Sequence, residues 1–333
     1  MNRTQIVLSV TLVLQLVVIL ATRTHEADTA GLGQPHSLLP EIENLLAMKI
    51  ELSSKDGETL TLMRKGDAWS IEQAGGYPAD NARVEKLIAD LQGIEVRNPV
   101  VTSEKYHEAL EVTDETARGR VKVWGDPAGD PVVDLLFGKS AGMGANDMRL
   151  AGQDDVWEIS GIASYDIRPQ AAAWIETKLA GVASDRVTGL RITNSNGSFE
   201  IRKDGESWVE VAAEGGTPAT LNADEVESLV RTVANLSISD PIGPVDEQAH
   251  GLAAPAATAT IVTGGEQSGE IEIRIGSLTS EDANKRYATR SGSGFTASVW
   301  KSSTDPIVDA SVEKLTGVES QGAGSREIRI DLQ

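Results

Sequence analysis

Ser311-Val312-Glu313-Lys314 fits S-x-x-K, the pattern in which a lysine-assisted serine becomes acylated. Its companions, S-D-N and K-T-G, are absent, so the run reads as a helix surface with solvated Ser and Lys. Gly142-Met143-Gly144 and Gly292-Ser293-Gly294 are glycine-rich, as phosphate loops are. Neither completes G-x-G-x-x-G nor falls between a strand and a helix, so both read as hairpin turns. His107 and His250 are isolated, with no second ligand at helix or strand spacing. Asp154-Asp155, Asp126 with Asp130, and Glu281-Asp282 could offer oxygens to Ca²⁺, but without the periodicity of a calcium loop. They read as solvated acidic turns. The sequence therefore offers no catalytic, cofactor-binding or metal-binding set, and no cofactor is expected.

The tryptophans carry more. Trp69 and Trp208 occupy matching places in two similar stretches, and so, roughly, do Trp157 and Trp300. A large ring recurring in both stretches argues for packing. Trp124 and Trp174 lack counterparts, so together with Tyr287 they are the candidate partner contacts.

Composition narrows the classes. The chain has 333 residues, room for about two domains, and 40% are hydrophobic, enough for real cores. Its net charge of −20 argues against nucleic acid as a partner and against an anionic lipid surface. There is no cysteine, which removes disulfides, thiolate metal sites and a lipidated Cys.

Residues 6–21 read IVLSVTLVLQLVVILA, preceded by Arg3 and followed by Arg23. The run is somewhat short for a membrane span, roughly 17–25 residues, and reaches the lower edge when Thr4 and Gln5 or Thr22 are counted with it. A cleaved signal peptide would want small residues before its cut, and Val18-Ile19-Leu20 are bulky. The reading is an uncleaved transmembrane signal anchor over residues 1–21, with the acidic bulk outside the cytoplasmic membrane, in the periplasm of a Gram-negative cell. Residues 22–37 are small, polar and broken by Gly31, Gly33 and Pro35; they read as a tether, in which His25 and His36 are poor ligands.

The elements behind the tether repeat. Val84, Leu87, Ile88, Leu91 and Ile94 recur as Val226, Leu229, Val230, Val233 and Leu236, each 142 positions later. The spacing predicts an amphipathic helix twice, with Asp80 as one N-cap and Asn222 with Glu225 as a capping box for the other. Ahead of each helix, apolar residues alternate with period two. Ile50, Leu52, Leu60, Leu62, Trp69 and Ile71 do so in the first copy; Leu190, Ile192, Phe199 and Ile201 do so in the second. After Trp208 the apolar phase passes to Val209 and Val211, which predicts a bulge or a shifted register. Gly75-Gly76-Tyr77-Pro78 and Gly215-Gly216-Thr217-Pro218 are the turns into the helices. Val133, Leu135, Phe137 and Gly138 then match Ile271, Ile273, Ile275 and Gly276. Residues 164–178 read as a short helix closing the first unit, residues 309–315 as its counterpart, and residues 326–332 as a last strand. The fold class is α+β: two tandem copies of a mainly antiparallel sheet-plus-helix domain, over residues 38–185 and 186–333, behind one N-terminal transmembrane helix.

Several runs resemble one family. They are Leu39-Pro40 before Met48-Lys49-Ile50-Glu51-Leu52, Leu62 through Trp69, Pro78-Ala79-Asp80, Leu135-Leu136-Phe137-Gly138, and Arg286-Tyr287 before Val299-Trp300. In that order they resemble the family called domain of unknown function 4340. The resemblance implies a single-pass envelope protein accompanying an ABC-2-type or gliding-motility-type transporter. The expected function is a non-enzymatic accessory or scaffold subunit, with an ABC-type permease or auxiliary membrane protein as partner. The alternative is a carbohydrate- or lipid-binding envelope module with a cleft between the repeats lined by Trp124, Trp174 or Tyr287.

Overall fold

The computed structural model describes residues 33–42, 44–142, 144–212, 216–265 and 268–316. The apolar run 6–21, His25 and the tail 326–332 lie outside these residues, and no helix among the described residues is long and apolar enough to cross a membrane.

Two large antiparallel sheets carry the chain, each with a helix inserted after its third or fourth strand. The first contains β1 (Lys49–Ser54), β2 (Thr59–Lys65), β3 (Ala68–Ile71), β4 (Tyr77–Pro78), β5 (Gly119–Trp124), β6 (Val133–Gly142), β7 (Ala145–Leu150) and β8 (Val156–Ser160), with α1 (Asn81–Gln92) after β4. Its order is β8-β7-β6-β5-β1-β2-β3-β4. The second contains β9 (Val187–Asn194), β10 (Gly197–Asp204), β11 (Ser207–Glu210), β12 (Ile238–Pro244), β13 (Ala257–Thr263), β14 (Gly269–Leu278), β15 (Lys285–Arg290) and β16 (Phe295–Trp300). Helix α2 (Ala223–Ala234) follows β11 and α3 (Lys301–Val308) follows β16. The order is β11-β10-β9-β13-β14-β15-β16-β12; among the described residues β4 has no counterpart, and where β12 pairs β16 the first copy has a single bridge, Val101 to Val156.

The copies share register as well as order. Ile50 faces Val123 and Leu52 faces Val121; Leu190 faces Ile261 and Ile192 faces Ala259. One strand further, Val121 faces Leu135 and Ala259 faces Ile273. Because side chains alternate, this register puts all these residues on one face, which forms each core. The helices bury the stripes expected of them and are capped by Asp80 and Asn222. Only half of the expected capping box forms. The Asn222 N–H donates to the Leu315 carbonyl at 2.7 Å, as the Asp80 N–H donates to that of Trp174 at 2.7 Å. The closing segment of each unit thus takes the bond that Glu225 would have made.

Other expectations change. There is no bulge after Trp208: Lys203 faces Trp208 as Arg64 faces Trp69, and Glu210 holds the place of Ile71. The Glu210 carboxylate accepts the Ala219 N–H at 2.7 Å, which turns an apolar site into a loop tie. Trp157 and Trp300 are not equivalents. Trp157 faces Met148 in the first core, and the corresponding pair is Ala297 facing Ala288. There the small side chains leave room for α3, whose Ile307 joins the second core. Residues 164–178 form 3-10 turns at Ser164–Asp166 and Ala171–Trp174 rather than one helix, because Pro169 has no N–H and keeps Arg168 out of helical conformation.

On the opposite face of each sheet a loop crosses over a glycine. A Cβ on Gly138 would stand 2.3 Å from the Leu110 carbonyl oxygen, and one on Gly276 would stand 2.1 Å from that of His250. The loops turn at Glu111 and Gly251, both left-handed. These contacts pair Leu110 with His250 and Val112 with Leu252, so His107 and His250 are not counterparts.

Two predictions follow from this face. Gly138→Ala and Gly276→Ala each force a backbone carbonyl away, and each lowers unfolding stability by roughly 1–3 kcal/mol or more. Urea titration checks this, and a loss within a few tenths of a kcal/mol would contradict the packing. The second concerns Asp147, buried opposite Glu158. Burial pushes its carboxyl above the usual range; Lys139 pulls it back and Glu158 adds to the rise. The native state therefore holds this proton more tightly than the unfolded chain. Ionised Asp147 costs stability above its folded pKa, and the cost fades as pH falls through the unfolded value, about 4. Asp147→Asn raises the urea midpoint at neutral pH and gains little in acid; an equal gain at both would contradict the assignment.

Candidate functional site

The two units meet along a strand-like junction. In the first unit the entering chain bonds to the chain leaving α1: the Leu38 N–H donates to Ile94 O at 3.1 Å. The second repeats this with the chain that links the units, where Leu179 donates to Leu236 O at 2.9 Å and Ile238 donates to Thr177 O at 2.8 Å. The first core ends at Ile175, the second begins at Leu179, and Ile238 packs against both.

Beside this junction two glycine-bearing turns come together. The left-handed Gly75 approaches Pro244 so closely that a Cβ there would stand 2.7 Å from its Cδ. Next to it the Tyr77 ring meets the edge of Phe295, with centroids 5.4 Å apart and planes at 61°. Phe295 follows the Gly292-Ser293-Gly294 turn between β15 and β16. A cavity of about 310 Å³ opens between the units at this point. Pro78, Ala79, Leu179, Ile238 and Phe295 supply apolar wall, and Asp80, Glu176, Lys178 and Arg290 supply charge.

Most of that charge is engaged. Asp80 caps α1 and pairs with Arg83 at 3.1 Å. Glu176 accepts the Lys178 N–H at 3.1 Å, and Lys178 Nζ donates to Asn235 Oδ1 at 3.0 Å. Among the described residues the Arg290 side chain makes only a 3.4 Å contact with the Ala180 carbonyl. Burial pushes the Tyr77 hydroxyl above its ordinary range, and the charge of Arg290 partly offsets this.

The sequence candidates lie elsewhere. Trp124 is buried with the Lys49 ammonium 4.2 Å from its ring centre. Trp174 is buried in the first core, its indole N–H donating to Arg168 O at 2.7 Å. Tyr287 stacks on His250, centroids 4.5 Å apart, under the loop that crosses the second sheet. The structure brings no two of them together, and none lines the inter-unit cavity. The exposed tryptophan is Trp300, 46% accessible, with Lys285 4.8 Å from its ring centre. Lys285 also holds Asp240 at 2.8 Å, and Ser239 and Ser298 donate to the same carboxylate. Burial alone would raise the Asp240 carboxyl; these three donors bring it below the usual range.

The chemical motifs resolve into structural roles. Ser311 Oγ accepts the Lys314 N–H at 3.4 Å and so caps the helical turn Val312–Leu315. His107 donates from Nε2 to the Asp154 carbonyl at 2.8 Å. It borders a polar cleft of about 820 Å³. Arg149 sits there with its Nε on Val112 O at 2.8 Å, tying down the crossing loop. Among the described residues no group of three or more His, Asp or Glu could hold a metal ion.

Sequence reasoning passed over Tyr77, Phe295 and Arg290. The available signal was an aromatic in one Gly-Gly-x-Pro turn, where the other copy has Thr217.

Comparison with curated proteins and with solved structures returns no match. A family model matches residues 69–255, running from β3 across the junction to the approach to β13. That span exceeds half of the chain, and the repeated sheet-rich fold is the one that the alternation and the repeated helix stripe predict. The chain belongs to the family described as Domain of unknown function (DUF4340).

Proposed function

We propose that this chain is a non-enzymatic, membrane-anchored periplasmic accessory subunit of an ABC-type transport complex, with the permease or an auxiliary membrane protein as partner. One observation carries the reading. Polar side chains of the kinds that do chemistry are used here to hold one repeated frame together: Ser311 caps a helix, while His107, Arg149 and Glu210 tie loops. Such a frame suits holding partners in place better than turning over substrate. The apolar run 6–21 supplies the attachment, and the net charge of −20 keeps the body off anionic headgroups and favours a basic face on the partner.

The partner surface that fits is centred on the exposed Trp300. An accessible indole beside a lysine is the kind of residue that dominates binding energy at an interface. A second reading, a lipid- or carbohydrate-binding module, draws on the cavity between the units.

The test uses the full chain in its native membranes, with a photo-crosslinking residue at position 300 and, as a control, at position 160. Crosslinks from position 300 are expected to recover a transporter component, and those from position 160 far less. Recovery of none from either position would sink the transport role. Intact mass on the same sample checks the anchor: residues 1–21 are expected to be retained.

A further inference from the structure

We infer that the cavity between the two units is a binding site for a compact carboxylate with an apolar body, held by the Arg290 guanidinium and the Tyr77 hydroxyl. The inference is independent of the transport role.

The two groups come from different units and face one space. Tyr77 lies on β4 of the first sheet, Arg290 at the end of β15 of the second, and both line the cavity. Arg290 is exposed and Tyr77 half-buried, and both keep donors free for a ligand. Among the described residues Arg290 has no carboxylate partner, and its 3.4 Å contact with the Ala180 carbonyl leaves most of its five N–H donors unused. The Tyr77 hydroxyl has no hydrogen-bond partner among the described residues, although its ring is held against Phe295. A phenol lodged against apolar wall usually finds an acceptor. An oxyanion set between the two groups would satisfy both.

The surroundings select the rest of the ligand. Asp80, Glu176 and Lys178 are committed to protein partners, so their charges are already partly met. Beyond them the wall is Pro78, Leu179, Ile238 and Phe295, which favours a ring or short alkyl body over a polar one. The cavity, about 310 Å³, is at the small end of ligand sites, roughly 300–1,000 Å³. A diffuse polyanion would meet the two acidic groups at the rim. A single carboxylate reaches Arg290 with a bidentate pair and leaves them undisturbed. Because each unit supplies one of the two donors, occupancy also fastens the units to each other.

The probe is 3-phenylpropionate, with 3-phenylpropionamide as its uncharged match. Calorimetry is run on the full chain in nanodiscs of zwitterionic lipid, against empty nanodiscs. The acid is expected to bind saturably with a Kd of about 1 mM or tighter. The amide should bind at least roughly tenfold more weakly, because it carries no charge and offers Arg290 one acceptor oxygen in place of two. Arg290→Gln should weaken the acid by roughly tenfold or more and leave the amide unchanged. Tyr77→Phe keeps the ring contact and should weaken the acid several-fold, while Tyr106→Phe, at an exposed position away from the cavity, changes nothing. Equal unfolding temperatures across the variants show that the losses are local. No saturable binding of the acid, equal binding of acid and amide, or undiminished binding to Arg290→Gln would each overturn the site.

Discussion

Each unit is closed by backbone pairing between the chain that enters it and the chain that leaves its helix. In the first unit His36 faces Val96 and Leu38 bonds to Ile94; in the second Lys178 faces Ser237 and Leu179 bonds to Leu236. These bonds lie between segments far apart in sequence, and they press each helix stripe onto its sheet. In the second unit the entering chain is also the linker. One set of hydrogen bonds therefore closes that core and fixes where the first unit stands against it. A loose linker would leave Tyr77 and Phe295 free to separate. A linker paired on Leu236 and Ile238 holds their rings 5.4 Å apart and keeps the cavity open beside them.

Within that frame the copies have diverged by exchanging solutions at fixed positions. Leu136 faces Arg149 in the first sheet, and Arg274 faces Thr289 at the same place in the second. The arginine has changed strands, yet its task is preserved: Arg149 donates to Val112 O, and Arg274 donates to the corresponding Leu252 O at 3.2 Å. Among the described residues only the second copy adds a carboxylate, where Glu247 takes two N–H groups of Arg274 at the place His107 holds in the first. A crossing loop buries a carbonyl that needs a donor, and either neighbouring strand can supply one. The same freedom governs bulk: Met148 with Trp157 in one core stands against Ala288 and Ala297 under a helix in the other.

The sequence shows this frame where physics acts at short range. Period-two alternation marks Ile50 and Leu52 because their strand has one buried face, and the 3.6-residue stripe marks Val84 through Leu91 for the same reason. Asp80 and Asn222 are legible as caps because the bond is local. What escapes is decided by the partner strand. Trp157 and Trp300 look alike in sequence, but pairing puts one inside the core and the other at a strand end in solvent. Trp124 and Trp174 lack counterparts and are still buried. Helix α3 was hidden by its polar opening and by Pro306. The cavity was invisible, since Gly75-Gly76-Tyr77-Pro78 and Gly292-Ser293-Gly294 each read as an ordinary turn until the junction brings them together.

The place of that cavity follows from duplication itself. Inside either unit a change has to be matched by its neighbours, as the bulk of Met148 and Trp157 is matched by α3 over Ala288 and Ala297. The junction is different, because each copy meets it with a different edge. The first brings β4, the added strand that carries Tyr77; the second brings β12 and the β15–β16 turn, which carry Ile238 and Phe295. No counterpart in the other copy constrains β4, and β12 has opposite it just the bridge from Val101 to Val156. Thr217 stands where Tyr77 would recur, and Leu150 faces Leu135 where Arg290 faces Ile273. The groups at the cavity are thus those that duplication left free to differ, and a duplicated chain can build a site there without weakening the frame that supports it.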